Sequence, residues 1–235
     1  MGKGINGLIV KAWGGADYQL TVTSTELVTD KYLRLGFTAG GLFADHPVHP
    51  TQWVRGWFPD STGEKLQQRG YTLVDPDPDG DRFAIEFALH NGHAARWAEN
   101  ASVGDTLDVT VLGSDFQLPE STPSEYLIFG DTASLPAINS LLEAIGDVPA
   151  RVWLEWQYES DLQIPLRGKP HHKVTWVQRI DDGRLLREAA HELDCPDGAF
   201  AWVACDGHTT RSIVKSFKQI HGVPKTAMKY QAYWK

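Results

Sequence analysis

The feature that most constrains this chain is a change of hydrophobic rhythm near residue 120. Before it, apolar residues alternate with period two. In Lys31–Thr38, Leu33, Leu35 and Phe37 alternate with Tyr32, Arg34 and Gly36. In Arg82–His90, Phe83, Ile85, Phe87 and Leu89 share one face and Ala84, Glu86, Ala88 and His90 the other. In Thr106–Leu112, Leu107, Val109 and Val111 alternate with Asp108 and Thr110. Such alternation predicts half-buried antiparallel strands. The run Asp75-Pro76-Asp77-Pro78-Asp79-Gly80-Asp81 reads as a turn, with proline fixing φ and Gly80 supplying φ > 0.

After it, continuous apolar strands alternate with helix-spaced segments. Glu125–Gly130, Val152–Trp156, Lys173–Arg179, Phe200–Ala204 and Lys229–Trp234 read as strands. Ser134–Ile145, with Leu135, Ile138, Leu141, Leu142 and Ile145 on one face, reads as a helix, as do Leu185–Leu193 and Thr209–Ile220. Alternating β and α units imply a mostly parallel sheet. The stretch Leu118–Ser124 (LPESTPS) reads as the linker. The expected fold is therefore β-barrel plus α/β: an antiparallel barrel over residues 1–120, then a parallel-sheet, nucleotide-binding-like domain over residues 121–235. That layout is the one of the ferredoxin-reductase class.

Composition excludes several functions. At 235 residues with 42% hydrophobic and 22% charged residues, the chain is globular rather than disordered. A net charge of −8 without a basic run argues against nucleic acid as a partner. Cys195 and Cys205 cannot form a metal cluster by themselves and suggest no disulfide framework, so a reducing compartment fits. His46, His49, His171 and His172 lie in loops without carboxylate or cysteine partners, so no metal site is expected. Met1–Trp13 has too short an apolar run for a signal peptide, and no segment approaches the ~18 apolar residues that span a bilayer, so a cytoplasmic location is expected. The nine tryptophans can serve as core or line a site for a flat ligand.

Arg69-Gly70-Tyr71-Thr72 carries the strongest chemical signal. A guanidinium suits a pyrophosphate, a tyrosine ring suits a flat heterocycle, and a small hydroxyl can reach that ring's edge. Arg-x-Tyr-Thr/Ser at the start of a barrel strand resembles the flavin signature of ferredoxin-reductase-like proteins. Phe87–Ala98 (FALHNGHAARWA) then resembles the siderophore-interacting protein family: His90 ends a strand, Gly92 turns the chain, and Ala94, Ala95 and Arg96 open a helix whose free N–H groups seat phosphate. Trp97 reads as packing behind that cradle. Gly130–Ile138 (GDTASLPAI), Trp202–Asp206 (WVACD) and the ending Gln231-Ala232-Tyr233-Trp234 extend the resemblance, in order, across the chain. Within the family it resembles the siderophore-interaction domain of mycobacterial iron–siderophore ABC transporters, through Gly4-Ile5-Asn6-Gly7, Asp131-Thr132-Ala133-Ser134 and Val223-Pro224-Lys225. Because the chain stops at Lys235, no fused transporter is expected.

The resemblance implies FAD as cofactor, held by Arg69, Gly70, Tyr71, Thr72, Glu86, Phe87, Ala88, Leu89, His90, Gly92, Ala94, Ala95, Arg96 and Trp234. It implies reduction of a ferric siderophore to release Fe(II), with Arg55, Lys229 and Lys235 as substrate cations. Gly130, Asp131, Thr132 and Ser134 mark the nucleotide domain, and no general acid or base is assigned. The chain departs from the family pattern at Val74, where many members have arginine, at His93 for proline, at Thr132-Ala133-Ser134 for Glu-Thr-Ala, and at Cys205-Asp206 for Gly-Glu. Arg151, Arg179, Arg184 and Arg211 are scattered and form no 2′-phosphate cluster, so NADH, NADPH and ferredoxin all stay open as donors. Two other readings also stay open: an NAD(P)H-dependent flavin or quinone reductase, and a non-catalytic siderophore-binding adaptor for a membrane transporter.

Overall fold

The computed structural model describes residues 15–235; the Gly4–Gly7 segment and the remainder of the N-terminal stretch lie outside the described residues. Two compact units divide between Gln117 and Leu118. The first contains β1 (Ala16–Thr29), β2 (Tyr32–Thr38), a short helix α1 (Leu42–Asp45), β3 (Trp53–Pro59), β4 (Leu66–Thr72), β5 (Val74–Asp77), β6 (Arg82–Ala88), α2 (His93–Asn100) and β7 (Thr106–Val111). Its strands form one antiparallel sheet in the order β4-β3-β7-β1-β2-β6-β5. The two edge strands are chain neighbours, joined through Leu73 alone, so the sheet must curl until its ends meet at that corner. Leu20, Leu35, Phe37, Phe58, Ile85, Phe87, Leu107 and Val109 fill the inside.

The alternating strands fall where their periodicity put them. The sequence reading did not identify β1, β3 or β4. β1 divides its pairing, with Ala16–Thr21 on β7 and Thr21–Thr29 on β2, so only Leu20 and Val22 face a deep core. β3 is apolar on both faces: Val54 and Phe58 enter the core, while Trp57 on the other face donates from Nε1 to Thr110 Oγ1 at 2.9 Å. β4 is a polar edge strand.

The aspartate-proline run is corrected in two ways. Its first half is β5, an edge strand that tolerates Pro76, and the turn is confined to residues 78–81. Gly80 is not at positive φ; Asp75 and Asp81 are, both at φ 47°. Aspartate tolerates that region through local hydrogen bonds. Gly80 instead leaves room for the Asp77 carboxylate, whose Oδ2 would sit 2.5 Å from a Cβ there and would have to shift.

The second unit contains β8 (Tyr126–Asp131), α3 (Leu135–Ile145), β9 (Ala150–Trp156), β10 (Lys173–Gln178), α4 (Arg184–Glu192), β11 (Phe200–Asp206), α5 (Gly207–Gln219) and β12 (Met228–Trp234). All pairings are parallel, in the order β10-β9-β8-β11-β12. β8 and β11 are buried along their whole lengths, as central parallel strands covered on both faces must be. In chain order the strands run third, second, first, fourth, fifth, so the direction of winding reverses between β8 and β11. That reversal is where such sheets open a crevice at their carboxyl ends.

Candidate functional site

In the first unit the Arg69–Thr72 motif closes β4 rather than opening a strand. Alternation along β4 sets Arg69 and Tyr71 on the face that carries Val54 and Phe58, and Gly70 and Thr72 on the other. Tyr71 packs on Phe87, ring centroids 4.5 Å apart, and edge-on against Phe58 at 5.7 Å. Burial pushes its phenol well above the usual tyrosine range. Trp97, on α2, meets Phe58 edge-on at 5.5 Å and so packs behind the tyrosine. Gly70 makes room for Trp53, whose ring would lie 3.3 Å from a Cβ there. Thr72 is buried opposite Trp53.

Arg69 is exposed, and its Nη1 donates to the Gln68 carbonyl at 2.7 Å. It lies near enough to His90 to act on it. His90 is held below the usual histidine range, first by burial and then by the Arg69 charge. His90 lies two residues beyond the end of β6, and its Nδ1 accepts the Gly92 N–H at 2.9 Å. In that arrangement the ring's own proton resides on Nε2. Gly92 is the N-cap of α2 with extended backbone, and no side chain caps the helix. Gly92 serves by close approach, since a Cβ there would sit 2.2 Å from His90 Cε1. Ala94 and Ala95, in the first turn of α2, are buried, Ala94 against the core. Arg96 is exposed and bonds His93 Nδ1 at 3.2 Å. Arg69, His90 and the N-terminus of α2, which has no side-chain cap, thus lie close together, and groups of this kind could hold a diphosphate.

The other expected contacts have different surroundings. Phe87 is core, and Ala88 and Leu89 are half-buried, with the Leu89 N–H bonded to the Lys31 carbonyl. Glu86 accepts from Tyr32 at 3.2 Å and Arg34 at 3.0 Å on the opposite face. Arg55 lies 4.5 Å over the Trp53 ring and donates to Gln68 Oε1 and the Leu112 carbonyl; burial lowers its pKa. Lys229 and Lys235 belong to the second unit, on and just after β12. No group of three His, Cys, Asp or Glu side chains among the described residues is placed to hold a metal ion.

In the second unit Gly130, Asp131, Thr132 and Ser134 join β8 to α3. Asp131 N–H donates to Ser134 Oγ at 2.9 Å, and Ser134 N–H returns to Asp131 Oδ1 at 3.0 Å. Only glycine fits at 130, because a Cβ would sit 2.4 Å from Ser134 Oγ and 2.5 Å from Ile138 Cδ1. Trp234 donates from Nε1 to Asp131 Oδ2 at 2.7 Å, under the Arg179 guanidinium at 4.8 Å. Arg179 also pairs with Glu155 and, at 3.3 Å, with Asp206. The sequence reading missed Glu155 and Asp206 as site residues and passed over Arg179. Their signal was a charged residue at the end of each apolar strand: Leu154-Glu155, Gln178-Arg179 and Cys205-Asp206. Burial raises the Glu155 and Asp131 carboxyls above the usual range. Burial pushes Asp206 the same way, but the Thr209 N–H and Arg179 bring it below the usual value.

Known proteins decide the lineage. Residues 17–113 match the siderophore-interacting FAD-binding domain, and residues 123–235 match the siderophore-interacting protein model. The chain belongs to the siderophore-interacting protein family. A curated relative, the mycobactin import ATP-binding/permease protein IrtA of Mycolicibacterium smegmatis, is 38% identical over 239 residues, covering 100% of this chain and 28% of that protein. The chain thus spans little more than a quarter of that relative's length. Among solved structures, a siderophore utilization protein from T. fusca superposes with a TM-score of 0.82 at 23% identity, over 94% of this chain and 93% of the other. A ferredoxin NADP+ reductase from Neisseria gonorrhoeae with bound FAD and NADP superposes with 0.64 at 12% identity, over 93% and 99%. These structures establish a ferredoxin-reductase-like fold, and the siderophore-interacting FAD-binding domain makes FAD the cofactor. No helix among the described residues is long and apolar enough to cross a membrane.

Proposed function

We propose that this chain is an FAD-dependent reductase that takes a ferric siderophore and releases the iron as Fe(II). The observation that supports the reading is the proximity of Arg69 to His90, beside the N-terminus of α2, within residues that match the siderophore-interacting FAD-binding domain. Arg69 supplies the charge-assisted contact to the diphosphate and His90 Nε2–H a second donor, while the uncapped N–H groups opened by Gly92 complete the seat. Tyr71, fixed by Phe58 and Phe87, offers a rigid ring edge to a flat heterocycle, and Thr72 ends the strand beside it. Bound FAD supplies one-electron chemistry, which the protein positions and tunes. Each Fe(III) takes one electron; Fe(II), with less charge, holds hard oxygen ligands less tightly, and the iron leaves. Arg55, stacked on Trp53 and already partly desolvated, is the first-unit cation for an anionic siderophore. Lys229 and Lys235 are the second-unit candidates.

The test is anaerobic. Holoprotein reduced with dithionite and freed of excess reductant is mixed with ferric siderophores, and Fe(II) is trapped by a chromogenic chelator. Flavin reoxidation matched by Fe(II), two irons per flavin, is the expected result. Flavin that stays reduced with every ferric siderophore tried removes the reductase reading. A second reading, a siderophore-binding module that works with a membrane importer, has the printed name of the IrtA relative in its favour. It predicts siderophore binding without flavin reoxidation in the same experiment.

A further inference from the structure

The electron donor of a ferredoxin-reductase-like fold is looked for at the carboxyl edge of the parallel sheet, where winding reverses between β8 and β11. A dinucleotide held there needs two things: helix N-terminal N–H groups for its pyrophosphate, and an open ledge for its rings. In this chain one of the two helices that flank the reversal, α5, is closed by a carboxylate of the chain itself, and the other, α3, has no side-chain cap but a buried first turn. At α3, Ser134 N–H is taken by Asp131 Oδ1, Pro136 in the first turn has no N–H, and Leu135 and Ala137 are fully buried. At α5, Asp206 Oδ1 accepts from His208 N–H and Thr209 N–H, each at 2.9 Å, and Gly207, Thr209 and Thr210 are buried.

Trp234, 39% exposed, is held at the same edge. The Trp234 indole is tied to Asp131 Oδ2 at 2.7 Å and lies under Arg179. Arg179 is committed to Glu155 and Asp206, so it is not a spare cation for phosphate. Arg211, exposed, is a second guanidinium here; its Nη1 would lie 3.2 Å from a Cβ on Gly207. Against these two cations stand Asp131, Glu155 and Asp206. Glu155 is 2% exposed, with Oε1 buried and without a hydrogen-bond partner. A pyrophosphate brought to this edge would meet the capped N-terminus of α5, the buried first turn of α3, the carboxylates of Asp131, Glu155 and Asp206, and Trp234 tied to Asp131.

We infer that the carboxyl edge of this sheet does not take a nicotinamide dinucleotide, because Asp131, Asp206, Arg179 and Trp234 satisfy one another where a dinucleotide would need them free. The nucleotide implied by the fold does not fit these residues. Under the proposed reductase function, on which this consequence rests, electrons reach the flavin from a donor that does not lodge in this crevice.

The test is calorimetric titration of the oxidised holoprotein with NAD+ and with NADP+, which do not reduce or oxidise bound FAD. No saturable binding is expected up to about 1 mM, a limit near 4 kcal/mol of affinity. Saturable binding of either nucleotide within that range overturns the inference. Trp234→Ala and Asp206→Asn, checked for retained FAD by their absorption spectra, are expected to bring binding into that range. If neither does so while FAD is retained, the assignment to these residues is overturned. The dithionite experiment bypasses the donor altogether, so failure of the reductase reading shows there and leaves the titration to judge this one.

Discussion

At the scale of single residues, Arg69 and His90 are the proposed contacts to the flavin diphosphate, and both were singled out because each lies in a short motif. Arg69 is exposed, with its one shown bond to its neighbour's carbonyl, so its removal costs the fold little. Arg69→Ala is expected to weaken FAD binding by about 1.5–3 kcal/mol, the scale of a lost charged hydrogen bond, in a titration followed by flavin fluorescence. Unchanged affinity would take Arg69 out of the site. His90 makes a pH prediction. Its folded-state pKa is depressed by burial and by Arg69, so the unfolded chain binds the extra proton. Its contribution to the stability of FAD-free protein is complete above the unfolded value, near ~6.5, and is lost as pH falls from there through the folded value. His90→Asn, whose side-chain oxygen can still accept the Gly92 N–H, should therefore show a shallower fall of Tm across that window. Parallel curves for the two proteins would contradict this. Glu155, Arg179 and Asp206 were not legible, because each is an ordinary charged residue until three strand ends are brought side by side.

At the scale of elements, periodicity succeeded where one face of a strand is buried and failed where that condition breaks. β2, β6 and β7 alternate cleanly; β3 is covered on both faces, β4 is a polar edge, and β1 changes partners midway. Turn chemistry was read one step too simply at Gly80, which is needed for the Asp77 carboxylate rather than for positive φ. Gly130 is the stronger case of glycine as space. Its missing side chain lets β8 pass into α3 against Ser134 and Ile138, with the Ala204 carbonyl 3.2 Å from where a Cβ would be. Gly130→Ala is expected to cost about 1–3 kcal/mol, as overpacking of a closed core does, measured by urea unfolding of the second unit. A change under about 0.5 kcal/mol, the range of a surface substitution, would mean that the strand–helix junction yields more easily than its packing indicates.

At the scale of the whole molecule, each unit has a core built from its own residues, and Glu120, Ser121 and Thr122 between them are exposed and outside any helix or strand. A glutamate-specific protease is therefore expected to cut first after Glu120 in native protein, and the flavin should remain with the N-terminal fragment, since Arg69, Tyr71, His90 and α2 all belong to it. Mass spectrometry and the absorption of the separated fragments check both points; flavin lost from both would show that the first unit does not suffice to hold it. The sequence by itself determined the fold class, an antiparallel sheet followed by a parallel one, and the family of the FAD-binding domain. Hydrophobic period is set by local geometry, and the motifs that hold Arg69, Tyr71 and His90 are short stretches of chain. Only the tertiary structure decided which side chains meet at the carboxyl edge of the second unit's sheet. Asp131, Glu155, Arg179, Asp206 and Trp234 come from five different strands or strand ends, and their charges bear on one another only once the parallel sheet has aligned its carboxyl ends.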